Sequence, residues 1–249
     1  MADPTILLSR ERFPGRPLLD TAVSRALLEG VAAGTSPETL RVFVPERVLA
    51  FGSRDATRPA YPAAEAAARA AGFTPVVRLA GGRAAVFHEG TVGFSWTLPE
   101  PEPWRGITAR FERLAEIVVE ALVSLGVDAR VGEVPGEYCP GAHSVNAAGR
   151  RKLMGVGQRL VAGGAHVGGV VVVEGRELVN RALAPVYAAL GYSWDPEATG
   201  CVADEAPATV PQVERALLAA FSHHFHLVET PLPTEVLARA TALVGTRPG

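Results

Sequence analysis

Lysine is almost absent from this chain. Of its 24 Lys and Arg residues the single lysine is Lys152, and arginine supplies the rest. Cysteine is nearly as scarce. Cys139 and Cys201 are too few for a disulfide framework, so both are expected as free thiols in a reducing cytoplasm. No apolar run approaches the roughly 20 residues that a membrane helix needs, which argues against a membrane-spanning protein. The opening Met1-Ala2-Asp3-Pro4 carries an acid where a secretory signal has a basic stretch, so no signal peptide is expected. Charge of one sign is not in excess either: the net charge of −2 leaves no basic footprint for nucleic acid. What is present is a soluble globular composition, 48% hydrophobic and 20% charged over 249 residues, with length for a substantial core.

Periodicity divides the chain into alternating elements. Arg16 to Val31 repeats Leu18, Leu19, Ala22, Ala26, Leu27 and Val31 at helical spacing. Strands are expected at Leu40–Val44, Val48–Gly52 and Phe73–Leu79, with an alanine-rich helix at Tyr61–Ala71 between the last two. Ala84–His88 and Thr91–Leu98, split by Glu89-Gly90, read as a hairpin. Trp104 to Leu125 is the clearest helix, with one apolar face from Ile107 and Phe111 to Leu125 and a stop at Gly126. Strands follow at Ala129–Val134, Ser144–Asn146, Lys152–Leu160 and His166–Val173. The four valines Val170 to Val173 mark a strand buried on both faces. Helices at Glu177–Leu190, Pro211–Phe225 and Pro233–Val244 close the chain. The segment from Gly191 to Thr209, which holds Cys201, has no period and is expected as a surface loop, with Cys201 structural. No composition break marks a linker. The pattern predicts one α+β domain over residues 1–249, a mixed, largely antiparallel sheet flanked by helices.

Three segments could carry chemistry. Gly81-Gly82 follows a strand and would let a ligand approach the backbone closely. It is not a dinucleotide fingerprint, because no helix follows. Cys139 lies in the loop Pro135–Gly141, whose prolines and glycines fix an irregular backbone around the thiol. A nucleophilic cysteine needs access and a positive environment. Lys152, a compact point charge rather than a planar fork, could supply it from the strand that follows. His143 is read as an exposed loop histidine, not a base. His223, His224 and His226 lack the Cys or carboxylate companions of a metal site and are assigned to a helix end.

These residues resemble the lipoate-protein ligase and octanoyltransferase superfamily, which shares its catalytic fold with the biotin-protein ligases. The likeness rests on the turn from Arg78 to His88, the following Gly93-Phe94-Ser95-Trp96 strand, and the run Lys152-Leu153-Met154-Gly155-Val156-Gly157-Gln158. It covers about residues 15 to 226. Tyr138-Cys139-Pro140-Gly141 is similar to the cysteine-dependent branch, in which a Cys ahead of the lysine motif carries the acyl group as a thioester. The chain departs from the family pattern at Arg83, which replaces the third glycine of the turn, at Arg151 before the lysine, and at His143-Ser144, where an acid is expected.

The resemblance implies an acyltransferase that moves an octanoyl or lipoyl group onto the lysine of a lipoyl domain. Cys139 and Lys152 would be catalytic, with Lys152 stabilising both the oxyanion and the Cys139 thiolate. Arg78, Gly81, Gly82, Arg83, His88, Phe94, Gly155 and Gln158 would bind substrate, and Val77, Val86 and Phe94 would line an acyl tunnel. No metal site and no cofactor are expected. The partners would be an acyl carrier protein or a lipoyl-domain protein, such as the glycine cleavage H protein or an E2 subunit. Arg83, Arg150, Arg151 and Arg159 could steer an acidic partner. One alternative is an ATP-dependent lipoate ligase, which would use ATP and Mg. The other is a non-catalytic acyl-binding paralogue, for which Arg83 would be the signature.

Overall fold

The computed structural model describes residues 5–246, so the opening Met1-Ala2-Asp3-Pro4 run lies outside the described residues. In chain order the elements are β1 (Thr5–Ser9), α1 (Leu19–Ala32), β2 (Thr39–Phe43), β3 (Val48–Phe51), the single turn α2 (Ser53–Ala56), α3 (Tyr61–Ala70), β4 (Thr74–Val77), β5 (Ala85–Phe87) and β6 (Thr91–Pro99). They continue with α4 (Ile107–Ser124), β7 (Ala129–Val131), β8 (Val145–Ala147), β9 (Arg151–Val161), β10 (Gly164–Val172), α5 (Arg176–Leu190), α6 (Val210–His224), β11 (His226–Glu229) and α7 (Thr234–Leu243).

The strands form two sheets. Eight strands pair in the order β11-β1-β2-β6-β10-β9-β8-β7, and three more in the order β4-β3-β5. The large sheet is antiparallel except where β1 pairs with β11 and β2, as expected for a mixed, largely antiparallel α+β fold. Separation into two sheets was not apparent from pattern alone. The hairpin expected at Ala84–Leu98 splits between them, because β5 pairs with β3 while β6 pairs with β2 and β10.

The valine run behaves as its composition predicts. Val171 and Val173 enter the core under α4 and α6, while Val172 enters the core shared by the small sheet, α3 and α5. Each face of β10 is therefore covered by a different layer. The apolar face of α4 is buried from Leu114 to Leu122, yet Ile107 at its start is 37% exposed. That first turn faces the cavity described below instead of the core. The segment from Gly191 to Thr209 corrects the surface-loop expectation. Two short 3-10 turns tuck Ala198, Cys201 and Val202 inside, and Thr199 bridges to Lys152 as an added parallel pairing. Cys201 is buried among apolar side chains, in keeping with a structural role.

Candidate active site

A buried ammonium in a protein interior must be paired, or its desolvation goes uncompensated. Lys152 is 1% exposed, and its partner is Glu137, whose side chain is 0% exposed; Nζ to Oε1 is 2.9 Å. Nζ also donates to Tyr138 O at 3.0 Å and to Cys139 O at 2.6 Å. A β-carbon at Gly155 would stand 3.2 Å from Lys152 Cε, so glycine there leaves the side chain its lane.

Glu137 organises the loop between β7 and β8. Oε2 accepts from Val134 N at 3.0 Å, and Oε1 accepts from Gly141 N at 3.2 Å and Ser144 Oγ at 2.6 Å. These bonds gather residues 134 to 144 around one carboxylate and lift Cys139 at the loop's crest. Cys139 has φ +43°, a left-handed conformation that L side chains adopt at a cost. Its N–H donates to Tyr187 Oη at 2.9 Å, and that hydroxyl donates to Ala84 O at 3.1 Å. Burial first, then the neighbouring thiol, pushes the Tyr187 phenol up, so it serves as a neutral donor and acceptor.

The sulfur faces the turn between β4 and β5. Arg83 N donates to Sγ at 3.1 Å, and Arg78 Nη2 stands 3.7 Å from it. Arg78 also holds the turn's shape, donating to Ala50 O at 3.1 Å, Gly81 O at 2.7 Å and Arg83 O at 2.8 Å.

Behind the sulfur opens a cavity of about 460 Å³, within the usual span for a small-molecule site. Its walls include Phe43, Phe94, Leu160 and Val170, and its mouth is framed by Gly81, Gly82, Cys139, Pro140 and Ile107. The side under α1 is polar, with Asp20, Ser24, Ser95 and His166. His166 Nδ1 pairs with Thr97 Oγ1 at 2.8 Å, and burial, helped by the Arg41 charge, lowers its pKa to about 4. Burial raises the Asp20 carboxyl, against the opposing pull of Arg41 at 2.8 Å.

The structure gathers most of the residues expected at the site. Arg78, Gly81, Gly82, Phe94, Cys139, Lys152, Gly155 and Gln158 all border the cavity. Gln158, however, spends its amide on the fold: Oε1 accepts from Arg110 Nε at 2.9 Å and Nε2 donates to Ile107 O at 2.8 Å, pinning the start of α4 at the mouth. Arg83 contributes its backbone N–H, while its side chain turns to stack 4.6 Å from the Tyr192 ring centroid. The extra side chain at the third-glycine position thus leaves the cavity open.

Other expectations are corrected. His88 is not at the cavity; it is buried in the turn after β5, where Nδ1 accepts from Gly90 N at 3.0 Å. Val77 and Val86 belong to the core of the small sheet instead of the acyl wall, because strand alternation points them to α3 and α5. Arg150 and Arg151 share Glu205 at 3.9 Å and 3.8 Å, so one carboxylate offsets part of the charge expected at the arginine mouth. Sγ takes its donors from Arg83 and Arg78, not from Lys152. His143 stacks on Phe111, with ring centroids 5.1 Å apart. His223 and His224, by contrast, do lie at a helix end, the last turn of α6, where both reach Glu120; among the described residues no group of three His, Cys, Asp or Glu could hold a metal.

Glu137, Tyr187 and Arg110 were missed by sequence reasoning. The signal for Glu137 was available: a lysine predicted on a strand bound for the core needs an acid, and Glu137 is the acid beside the cysteine. Nothing local announces Tyr187, which arrives from α5.

A family model described as the lipoyl protein ligase A/B catalytic domain matches residues 16–222. An octanoyl-GcvH:protein N-octanoyltransferase of Geobacillus kaustophilus is 32% identical over 174 residues, covering 66% of this chain and 61% of that protein. A lipoyl-GcvH:protein N-lipoyltransferase of Listeria monocytogenes is 27% identical over 162 residues, covering 65% of this chain and 58% of that protein. The matches thus span about three-fifths of the relatives' own lengths. Among solved structures, a bipartite lipoate protein ligase of Thermoplasma acidophilum, solved in a study of that ligase and its E2 lipoyl domain, superposes with a TM-score of 0.75 at 21% identity, covering 98% of this chain and 93% of that one. A lipoate-protein ligase A bound with ATP superposes with a TM-score of 0.75 at 22% identity, covering 99% and 95%.

Proposed function

The chain belongs to the lipoyl protein ligase A/B catalytic-domain family, and from that premise we propose that it is an acyltransferase that moves an octanoyl or lipoyl group between lipoyl-domain proteins through a Cys139 thioester. The observation that carries this reading is the placement of Cys139. The thiol stands at the mouth of an apolar cavity, between an arginine turn and a buried lysine, on a backbone clamped from three sides.

In the first step the sulfur attacks the acyl carbonyl of the donor. The thiol's proton passes to solvent, the carbon–sulfur bond forms, the bond from the carbonyl to the donor's nitrogen breaks, and the departing amine takes up a proton from solvent. In the second step the lysine amine of the acceptor domain attacks the thioester. The carbon–nitrogen bond forms, the thiolate leaves, and the amine's surplus proton passes to solvent. Both steps build negative charge on the carbonyl oxygen. Lys152 borders the cavity beside the nucleophile's own carbonyl, and the oxyanion draws to itself one of the N–H donors that Tyr138 O and Cys139 O hold at rest, a contribution worth about 10²–10³ in rate for one well-placed group. The medium-chain acyl group lies against Phe43, Phe94 and Val170. The reaction as written consumes no cofactor.

The names of the sequence relatives support transfer over ligation. So does Glu137: a carboxylate 2.9 Å from the ammonium suits a neutral carbonyl better than the phosphate of an acyl-adenylate, which would need ATP and Mg. The outward turn of Arg83 removes the feature that would favour a non-catalytic paralogue.

The test is intact-mass analysis after incubation with an octanoylated glycine cleavage H protein. The expected result is one octanoyl adduct on the wild type, mapped to Cys139 and absent from Cys139→Ser. Lipoate- and ATP-dependent acylation that survives Cys139→Ser would establish the ligase instead.

A further inference from the structure

The ammonium and the sulfur of this site answer to different partners. Lys152 has three N–H donors, and Glu137 Oε1, Tyr138 O and Cys139 O take them. Its charge is matched by a carboxylate that is as deeply buried as it is. Arg78 is the opposite case. Its donors go to the backbone carbonyls of Ala50, Ala80, Gly81 and Arg83, and among the described residues no carboxylate pairs with it. Carbonyls fix a guanidinium in place without cancelling its charge. Nη2 donates at 2.7 Å and 2.8 Å to Gly81 O and Arg83 O and reaches Sγ with a longer contact at 3.7 Å, so it brings the sulfur an uncompensated charge at close range. The directional hydrogen bond to sulfur comes from Arg83 N at 3.1 Å.

Gly82 shows how closely the two groups are brought together. A β-carbon there would meet both, at 2.6 Å from Arg78 Nη2 and 2.8 Å from Cys139 Sγ.

We propose that Arg78 is the cation that serves the Cys139 sulfur, stabilising the thiolate before attack and again as it leaves the thioester, while Glu137 reserves Lys152 for the carbonyl side of the reaction. The role in leaving rests on the thioester reading above; the role in the free enzyme does not. A cation facing sulfur raises the thiolate fraction and with it the reactivity. At rest Lys152, paired with Glu137, holds the nucleophile's backbone through Cys139 O, and it is a backbone-held donor that turns to the oxyanion when the carbonyl is attacked.

The experiment is the rate of Cys139 alkylation by iodoacetamide in the native protein at fixed neutral pH, mapped by peptide mass so that buried Cys201 does not interfere. Three variants are compared. Arg78→Gln removes the charge, and the rate is expected to fall about tenfold. Arg78→Lys keeps the charge and is expected to recover most of that loss. The double variant Glu137→Gln with Lys152→Met removes the ion pair without leaving an orphan charge; the loop it shapes loosens, which leaves the thiol no less open to iodoacetamide, so its loss of alkylation rate is expected to be smaller than that of Arg78→Gln although acyl transfer falls. A tenfold loss in the double variant, with Arg78→Gln unaffected, overturns the assignment, as does an Arg78→Lys rate no better than that of Arg78→Gln. Should Arg78→Gln not fold, the other two variants decide the matter between them. Iodoacetamide needs no acyl donor, so a failed acyl reading leaves this assay intact. Absence of an octanoyl adduct would sink that reading alone.

Discussion

A β-carbon on Gly82 would collide with both Arg78 and Cys139, whereas one on Gly81 meets nothing within 4 Å. Gly82 also has φ +99°, a region closed to L side chains without strain. The two neighbours look interchangeable in the sequence, and the space around them separates them. Gly82→Ala should therefore cost about 10²-fold or more in acyl transfer, because the displaced pair is the nucleophile and its cation. Gly81→Ala should stay within about threefold, since open space and an ordinary φ ask nothing of it. Transfer assays on the two variants check this, with the melting temperature as control. Gly82 is exposed, so its substitution should disturb chemistry far more than folding. Equal losses in both variants would mean that the turn matters only as a flexible hinge.

At the level of elements, the site is a loop held by parts that come from elsewhere. The loop between β7 and β8 receives Lys152 from β9, Tyr187 from α5, and Trp194 and Asp195 from the segment after α5. Trp194 packs edge-on against Tyr138, and Asp195 N donates to Gly136 O at 2.8 Å. Tyr187 carries the tightest requirement, since its hydroxyl satisfies both Cys139 N and Ala84 O. Tyr187→Phe leaves a half-buried donor, Cys139 N, and a buried acceptor, Ala84 O, unmade, and should destabilise the fold by about 1–3 kcal/mol in a denaturant titration. Acyl-enzyme formation should slow as well, because the φ +43° backbone of the nucleophile loses its clamp. Normal thioester formation at reduced stability would show that Glu137 and Lys152 alone set the cysteine's position.

This arrangement also explains what could be read from the chain. Long periodic segments such as α4 and the β9–β10 pair announce themselves, because burial of one face repeats over many residues. Gly82, Cys139 and Lys152 were legible because their chemistry or spacing is unusual for their setting, and Arg78 because the turn that carries it resembles the family's. β1 and β11 escaped notice because each is short and gains its place by pairing across the chain, β1 with β2 and β11 with β1. His88 was misplaced because its neighbours in sequence belong to the site while its side chain turns into the sheet's own corner. Glu137 and Tyr187 act through distance in space, which spacing along a chain does not encode.

At the scale of the whole molecule, folding places an uncharged histidine in the large sheet, and this couples stability to pH. His166 sits on β10, 5% exposed, bonded to Thr97 Oγ1, with buried Arg41 as the charge that faces it and Asp20 bonded to that arginine. Its pKa falls from 6.5 to about 4 on folding. The unfolded chain therefore binds a proton between those values that the folded chain refuses. Stability from this group is complete above the unfolded pKa and is lost as pH falls towards the folded one. His88, lowered by its own burial, acts in the same direction. Asp20 and Glu38, both raised by burial, act in the opposite direction and soften the slope at its acid end. Between pH 7 and pH 5 the His166 contribution amounts to about 2 kcal/mol. His166→Gln keeps a partner for Thr97 but cannot take up the proton. Its unfolding free energy should drop by about 2 kcal/mol less than that of wild type over the same interval in matched denaturant titrations. A variant as acid-sensitive as wild type would mean that the sheet accommodates the imidazolium, with the cavity beneath α1 opening to water to solvate it.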